Sequence, residues 1–101
     1  MTYASTKFAL QNKFSFYLGG GMHHAMSFGG RGFCLINDLA ITIRKLQAEK
    51  KIKTAWIIDV DVHKGDGAAE IFKSDSTVKT LSIHMKNGWP LNSGDARDPW
   101  F

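Results

Sequence analysis

A chain of 101 residues, 44% hydrophobic and 22% charged, has the composition of one small globular unit, which excludes a disordered or low-complexity protein. Its formal charge of +4 is scattered, and the one cluster, Lys50, Lys51 and Lys53, falls where a helix is expected to end, so it complements a helix dipole and no nucleic-acid partner is expected. Cys34 is the single cysteine, which excludes an internal disulfide and fits a reducing cytoplasm, and no stretch approaches the ~20 apolar residues of a membrane span.

In chain order, Thr2 to Gln11 reads as a helix whose Tyr3, Ala4, Phe8 and Ala9 side must bury against something. Phe14 to Leu18 has strand composition and is broken by Gly19, Gly20 and Gly21. A loop carrying His23 and His24 follows, and Gly29, Gly30 and Gly32 punctuate a second flexible stretch. Leu35, Ile36, Leu39, Ala40, Ile43 and Leu46 then recur at helical spacing up to about Gln47. Ala55 to Ile58 is a wholly apolar run, as expected for a strand covered on both faces of a parallel sheet. Gly67 to Phe72 suggests a short helix and Val78 to Ile83 a further strand.

The order strand, helix, strand, helix, strand predicts an α/β fold with right-handed crossovers and a parallel sheet, with no boundary inside residues 1–101. Ligands of such sheets bind beyond the carboxyl ends of the strands. His23 and His24 follow one predicted strand and Asp59 to His63 spans the end of another, so both sets of reactive groups fall on one edge.

The stretch Ile57 to Gly67 concentrates the chemistry. Strand alternation would project Asp59, Asp61 and His63 to one face while Val60 and Val62 pack behind. Asp61 and His63 then read as two ligands of one divalent metal, with no clear third ligand before Phe101. A metal that polarises an acyl oxygen and acidifies water needs an imidazole to take the proton, and two histidines allow one base and one acid. Each imidazole needs its far nitrogen held by an acceptor, for which Asp59 and Asp66 are available. The bland readings are a surface His-His pair and a turn residue at Asp66 between two glycines. Cys34 reads either as a dipole-activated thiol or as a buried inert one. The glycine runs do not form a phosphate loop, since no Gly-Lys-Ser/Thr occurs.

Four segments in order, Gly20-Gly-Met-His-His-Ala25, Gly32-Phe-Cys-Leu-Ile-Asn-Asp38, Ile58-Asp-Val-Asp-Val-His-Lys-Gly-Asp-Gly67 and Ser82-Ile-His84, resemble successive motifs of the histone deacetylase and acetylpolyamine amidohydrolase family. The similarity runs from about residue 5 to about residue 97 and matches a middle portion of the family's catalytic domain. It implies part of a three-layer α/β/α parallel-sheet fold, arginase-like in architecture. It also implies zinc held by Asp61 and His63, and a paired-histidine centre of His23 and His24 backed by Asp59 and Asp66, with His24 as general base and His23 as its acid or electrostatic partner. Phe33 and Trp89 correspond to aromatic walls, with Gly32, of a narrow slot for an acetylated lysine or acetylated polyamine. Potassium is the implied second cation, held by the side chains of Asp59 and Ser82 with backbone oxygens of Asp61, His63 and Ile83. A further cation would use carbonyls of Phe72, Asp75 and Val78.

Two departures stand out. Lys64 occupies a position where many relatives carry a second histidine, which changes the charge beside the zinc site. The third zinc ligand and the tyrosine that polarises the substrate carbonyl would lie beyond Phe101, and Asp95 and Asp98 do not replace them. The expectation is therefore a deacetylase fragment, inactive alone and prone to self-association through exposed sheet edges. The alternatives are a non-catalytic, truncated metal-binding remnant and an arginase-like two-metal hydrolase, against which the His-His pair argues.

Overall fold

A computed structural model describes residues 1–91. Its elements are α1 (Thr2–Asn12), α2 (Asp38–Ala48), β1 (Ala55–Asp59), α3 (Asp66–Ile71) and β2 (Val78–Ser82). β1 and β2 pair in parallel, Ala55 opposite Val78 through Asp59 opposite Ser82, with α3 as the crossover between them. This is the βαβ unit that the alternating pattern predicts.

The core forms where α2 and α3 lay their apolar stripes on one sheet face. Ala40 and Ile43 of α2 meet Ile57 of β1, Ala68 of α3, Phe72 and Val78 of β2, with Leu39, Ile52, Ala55 and Ile71 at the margin. Phe72, Leu46 and Val78 are fully enclosed. β1 is not covered on both faces, contrary to its apolar composition: Ile57 is buried, whereas Trp56 and Ile58 are 66% and 63% exposed. Among the described residues the packed core lies only on the Ile57 face, so burial alternates along the strand.

Three further expectations change. Phe14 to Leu18 is irregular backbone and not a strand, and Phe14, Phe16 and Leu18 are exposed. Strand propensity measures fit to a pleated, partnered surface, and no described segment pairs with it. α2 starts at Asp38, three residues after the predicted apolar stripe, because Asn37 caps it by accepting a hydrogen bond from the Ala40 amide (3.0 Å). Leu35 and Ile36 are consequently left outside the helix and exposed. α1 forms as predicted and contacts α2, yet none of its residues is buried and Phe8 is 56% exposed.

Candidate active site

The His23-His24 loop is gripped from three sides. Asp38, in the first turn of α2, accepts hydrogen bonds from the amides of Gly21 (2.9 Å) and Met22 (2.7 Å) and from the Thr2 hydroxyl (2.6 Å). Partial burial pushes the Asp38 carboxyl up, but these donors outweigh it and hold the group below the ordinary carboxylate value. Asn37 donates to the Ala25 carbonyl (3.1 Å) from its capping position. The Ala68 amide donates to the His23 carbonyl (3.1 Å), an approach that Gly67 permits, since a β-carbon there would collide with the backbone of His23 to Ala25. The two imidazoles are thereby buried side by side, ring centres 4.0 Å apart.

Each histidine has its own carboxylate. His23 Nδ1 lies 2.5 Å from Asp59 Oδ2, and His24 Nδ1 lies 2.6 Å from Asp66 Oδ1. The hydrogen bond to Asp59 raises the pKa of His23 although burial opposes it. Asp66 has no solvent exposure at all. Nδ1 is the engaged nitrogen in both rings, which leaves Nε2 for other partners. His23 Nε2 comes to 3.8 Å of Asp61 Oδ2.

Asp61 and His63 do not reach the site by strand alternation, because β1 ends at Asp59. The turn beyond it is built by carboxylates folding onto amides two residues ahead: Asp59 Oδ1 accepts from the Asp61 amide (3.0 Å) and Asp61 Oδ2 from the His63 amide (2.7 Å). This brings Asp61 Oδ2 to 3.1 Å of His63 Nδ1. The His63 amide is also the main reason that the Asp61 carboxyl sits below its ordinary value. Two donors of a tetrahedral zinc at ~2.0–2.2 Å would stand roughly 3.3 Å apart, close to the 3.1 Å of this hydrogen-bonded pair. No cluster of three or more His, Cys, Asp or Glu with metal-holding geometry occurs among the described residues.

Gly32 occupies a tight turn from Arg31 to Cys34, closed by two backbone hydrogen bonds of 2.9 Å. A β-carbon on Gly32 would meet Trp89 at 2.7 Å and His24 at 2.8 Å. Trp89 stands edge-on to His24, ring centres 4.7 Å apart, and Phe33 projects from the same turn fully into solvent. Gly32 and Trp89 are thus brought onto His24, while Phe33 touches the site only through its turn.

At the strand ends Asp59 faces Ser82 in register. The Ser82 hydroxyl accepts from the Gly65 amide (3.1 Å) and pairs with His84 Nδ1 (2.8 Å), and the Ile83 amide donates to the Asp59 carbonyl (2.9 Å). The Phe72 carbonyl accepts from the Asp75 amide (3.0 Å). Lys64 is half-buried and borders an open cavity of about 540 Å³ with His84, Lys86 and Pro90. Asp95 and Asp98 lie outside the described residues.

Three residues shape the site without a role that the sequence assigns them, although Asn37 and Asp38 close the motif Gly32 to Asp38. Asp38 and Asn37 lie at a helix start, where Asn and Asp are cap signals, and their grip on the histidine loop is tertiary. Arg31 lies just before that motif, and its Nε stands 3.3 Å from Asp66 Oδ2.

A family model for the histone deacetylase domain matches residues 2–99. The chain belongs to the histone deacetylase family. It is 42% identical over 89 residues to an uncharacterised protein of Picosynechococcus, covering 88% of this chain and 30% of that protein. It is 40% identical over 80 residues to histone deacetylase 6 of Arabidopsis thaliana, covering 79% of this chain and 17% of that one. The crystal structure of an HDAC homologue complexed with SAHA superposes with a TM-score of 0.83 at 34% identity, over 91% of this chain and 25% of that one. The chain therefore spans less than a third of the length of these relatives. The α/β expectation stands, and the described residues carry part of the family's parallel-sheet fold.

Proposed function

We propose that this chain contributes the histidine pair and two zinc ligands to a deacetylase that hydrolyses an acetylated amine, of the acetyl-lysine or acetylpolyamine type, within a larger catalytic domain. The observation that carries the reading is the convergence of Asp61 Oδ2 and His63 Nδ1 at 3.1 Å, beside two imidazoles each backed by a carboxylate. Zinc, when bound, would acidify water and polarise an acyl oxygen.

The chain's own groups account for the rest. Asp61 and His63 would hold the metal. Asp66 at Nδ1 fixes the His24 ring, so that its Nε2 takes a proton as general base. Asp59 at Nδ1 favours protonated His23, which suits it to the acid or electrostatic role. Trp89 and Gly32 give an apolar, close-fitting wall beside His24, which suits the methylenes of an acylated amine. Asp59 and Ser82, paired at the strand ends, are the side chains we assign to a monovalent cation, potassium by family resemblance. A cytoplasmic setting agrees with the buried free thiol of Cys34.

A second reading, a metal-binding unit without catalysis, draws on there being two such donors among the described residues, since a catalytic zinc takes three protein ligands. Zinc analysis and acetyl-lysine peptide turnover on the 101-residue chain separate the two. Weak zinc uptake lost in Asp61→Asn and His63→Ala, with little or no turnover, is expected of the chain by itself. A complete domain containing these residues should then hydrolyse the peptide in a chelator-sensitive way, and zinc-replete inactivity of that domain would leave the second reading. Zinc uptake unchanged by both substitutions would remove the proposed site altogether.

A further inference from the structure

Asp66 is completely shielded from water and directs Oδ1 at His24. A buried carboxylate needs compensating positive charge close by. Arg31 brings one: its Nε stands 3.3 Å from Oδ2, the opposite oxygen. Among the described residues that Nε is buried and makes no hydrogen bond, so the contact with Asp66 is one of charge rather than of directed bonding. The same guanidinium lies over the Trp89 ring, 5.2 Å from its centre, and Trp89 packs edge-on against His24. Arg31 therefore touches two neighbours of His24, Asp66 and Trp89, without touching His24's own hydrogen bond. Its backbone exchanges two hydrogen bonds with Cys34 and so anchors the Gly32-Phe33 turn.

A side chain needed there only to fill space would be apolar, since burying a guanidinium N–H without an acceptor is unfavourable. We propose that Arg31 is a positioning residue for His24: through Oδ2 of Asp66 and the face of Trp89 it fixes the carboxylate and the ring so that His24 keeps its proton on Nδ1 and turns Nε2 to the site. The inference rests on the deacetylase reading for its purpose, but its physical content concerns only the state of one imidazole. His23, held by Asp59, supplies an internal reference in the same molecule.

The test is nitrogen-15 NMR of the histidine rings in the metal-free 101-residue chain at one pH about two units above the ordinary imidazole value of ~6.5, so that the tautomer and not the charge is read. Wild type should show His24 with a wide separation between its two ring-nitrogen shifts, the protonated one being Nδ1. Arg31→Met and Arg31→Gln should lose that separation at His24 while leaving the His23 signals in place, and Arg31→Lys, which keeps the charge, should retain most of it. If the Met variant unfolds, the Gln and Lys pair decides. A wild-type His24 pattern in the Gln variant overturns the proposal, as does a change that affects His23 and His24 equally. Failure of zinc binding or turnover elsewhere leaves this result standing, because no metal or substrate enters the measurement.

Discussion

Gly32 shows how much of the site depends on a missing side chain. Its φ of +57° lies in the left-handed region, and the space where a β-carbon would stand is taken by Trp89 and His24. Gly32→Ala should destabilise the fold by about 1–3 kcal/mol, from backbone strain together with displacement of the indole. A urea midpoint equal to wild type, with the Trp89–His24 contact intact by NMR, would contradict this. The importance of Gly32 was legible because the motif around it resembles that of a known family. Asp38 stands in the same motif and Arg31 just before it, but their contacts reach segments far away in sequence and carry no local signature. Asp61 and His63 were found for a reason that failed: they converge through carboxylate-capped turns and not through the two-residue period of a strand.

At the level of elements, the site is a junction of helix starts and strand ends, and Asp38 is its main fastener on the α2 side. Asp38→Ala removes the acceptor of the Gly21 and Met22 amides and of the Thr2 hydroxyl. Because Gly21 and Met22 are exposed, water takes up the freed amides, and the loss should be about 1–2 kcal/mol in urea unfolding. The larger effect expected is loosening of the His23-His24 loop, read as faster amide exchange at residues 21 to 25. Unchanged exchange there would show that Asn37 and Gly67 suffice. On the opposite side, Asp75 ties α2 to the start of β2: it accepts from the Thr77 hydroxyl (2.6 Å) and amide (2.8 Å) and pairs with Arg44 (2.5 Å). The Thr77 hydroxyl, then Arg44, hold its carboxyl down to about 2, from the ordinary 3.8. A depressed folded value stabilises at pH above the unfolded one, and the contribution disappears as pH falls from 3.8 through about 2. Asp75→Asn should therefore flatten the fall of the urea midpoint across that acid window, and an unchanged slope would assign the acid sensitivity to other groups. α2 was readable from helical spacing and β1 from its apolar run, with α1, α3 and β2 placed close to where the sequence puts them. The Phe14 to Leu18 error has the same origin as the one-sided burial of β1, since strand composition reports a demand for partners that the described residues do not supply.

For the whole molecule, that unmet demand has a measurable consequence. Trp56, Ile58 and Val60 stand exposed along and just beyond β1, at 66%, 63% and 74%. They border an open, largely apolar cavity of about 720 Å³ that also takes in Leu10, Leu39 and Ile43 from the helices. β1 is hydrogen-bonded on one edge only among the described residues, so its other edge offers free amides and carbonyls next to this apolar surface. Apolar surface of that kind on an unpaired edge favours association, and in a solution of the 101-residue chain the available cover is a second copy. The chain's net charge of +4 opposes this only weakly at physiological ionic strength, where charges more than about 8 Å apart are screened. Sedimentation velocity should accordingly show dimers and larger species whose fraction rises with concentration. Trp56→Lys and Ile58→Lys place outward charges on the edge without entering the Ile57 face of the core, and should return the chain toward monomer while leaving its helical circular dichroism intact. A wild-type chain that stays monomeric at the highest soluble concentration would sink this account. Association that both lysine variants leave untouched would move the contact to the other exposed apolar groups, Phe14, Phe16 and Leu18.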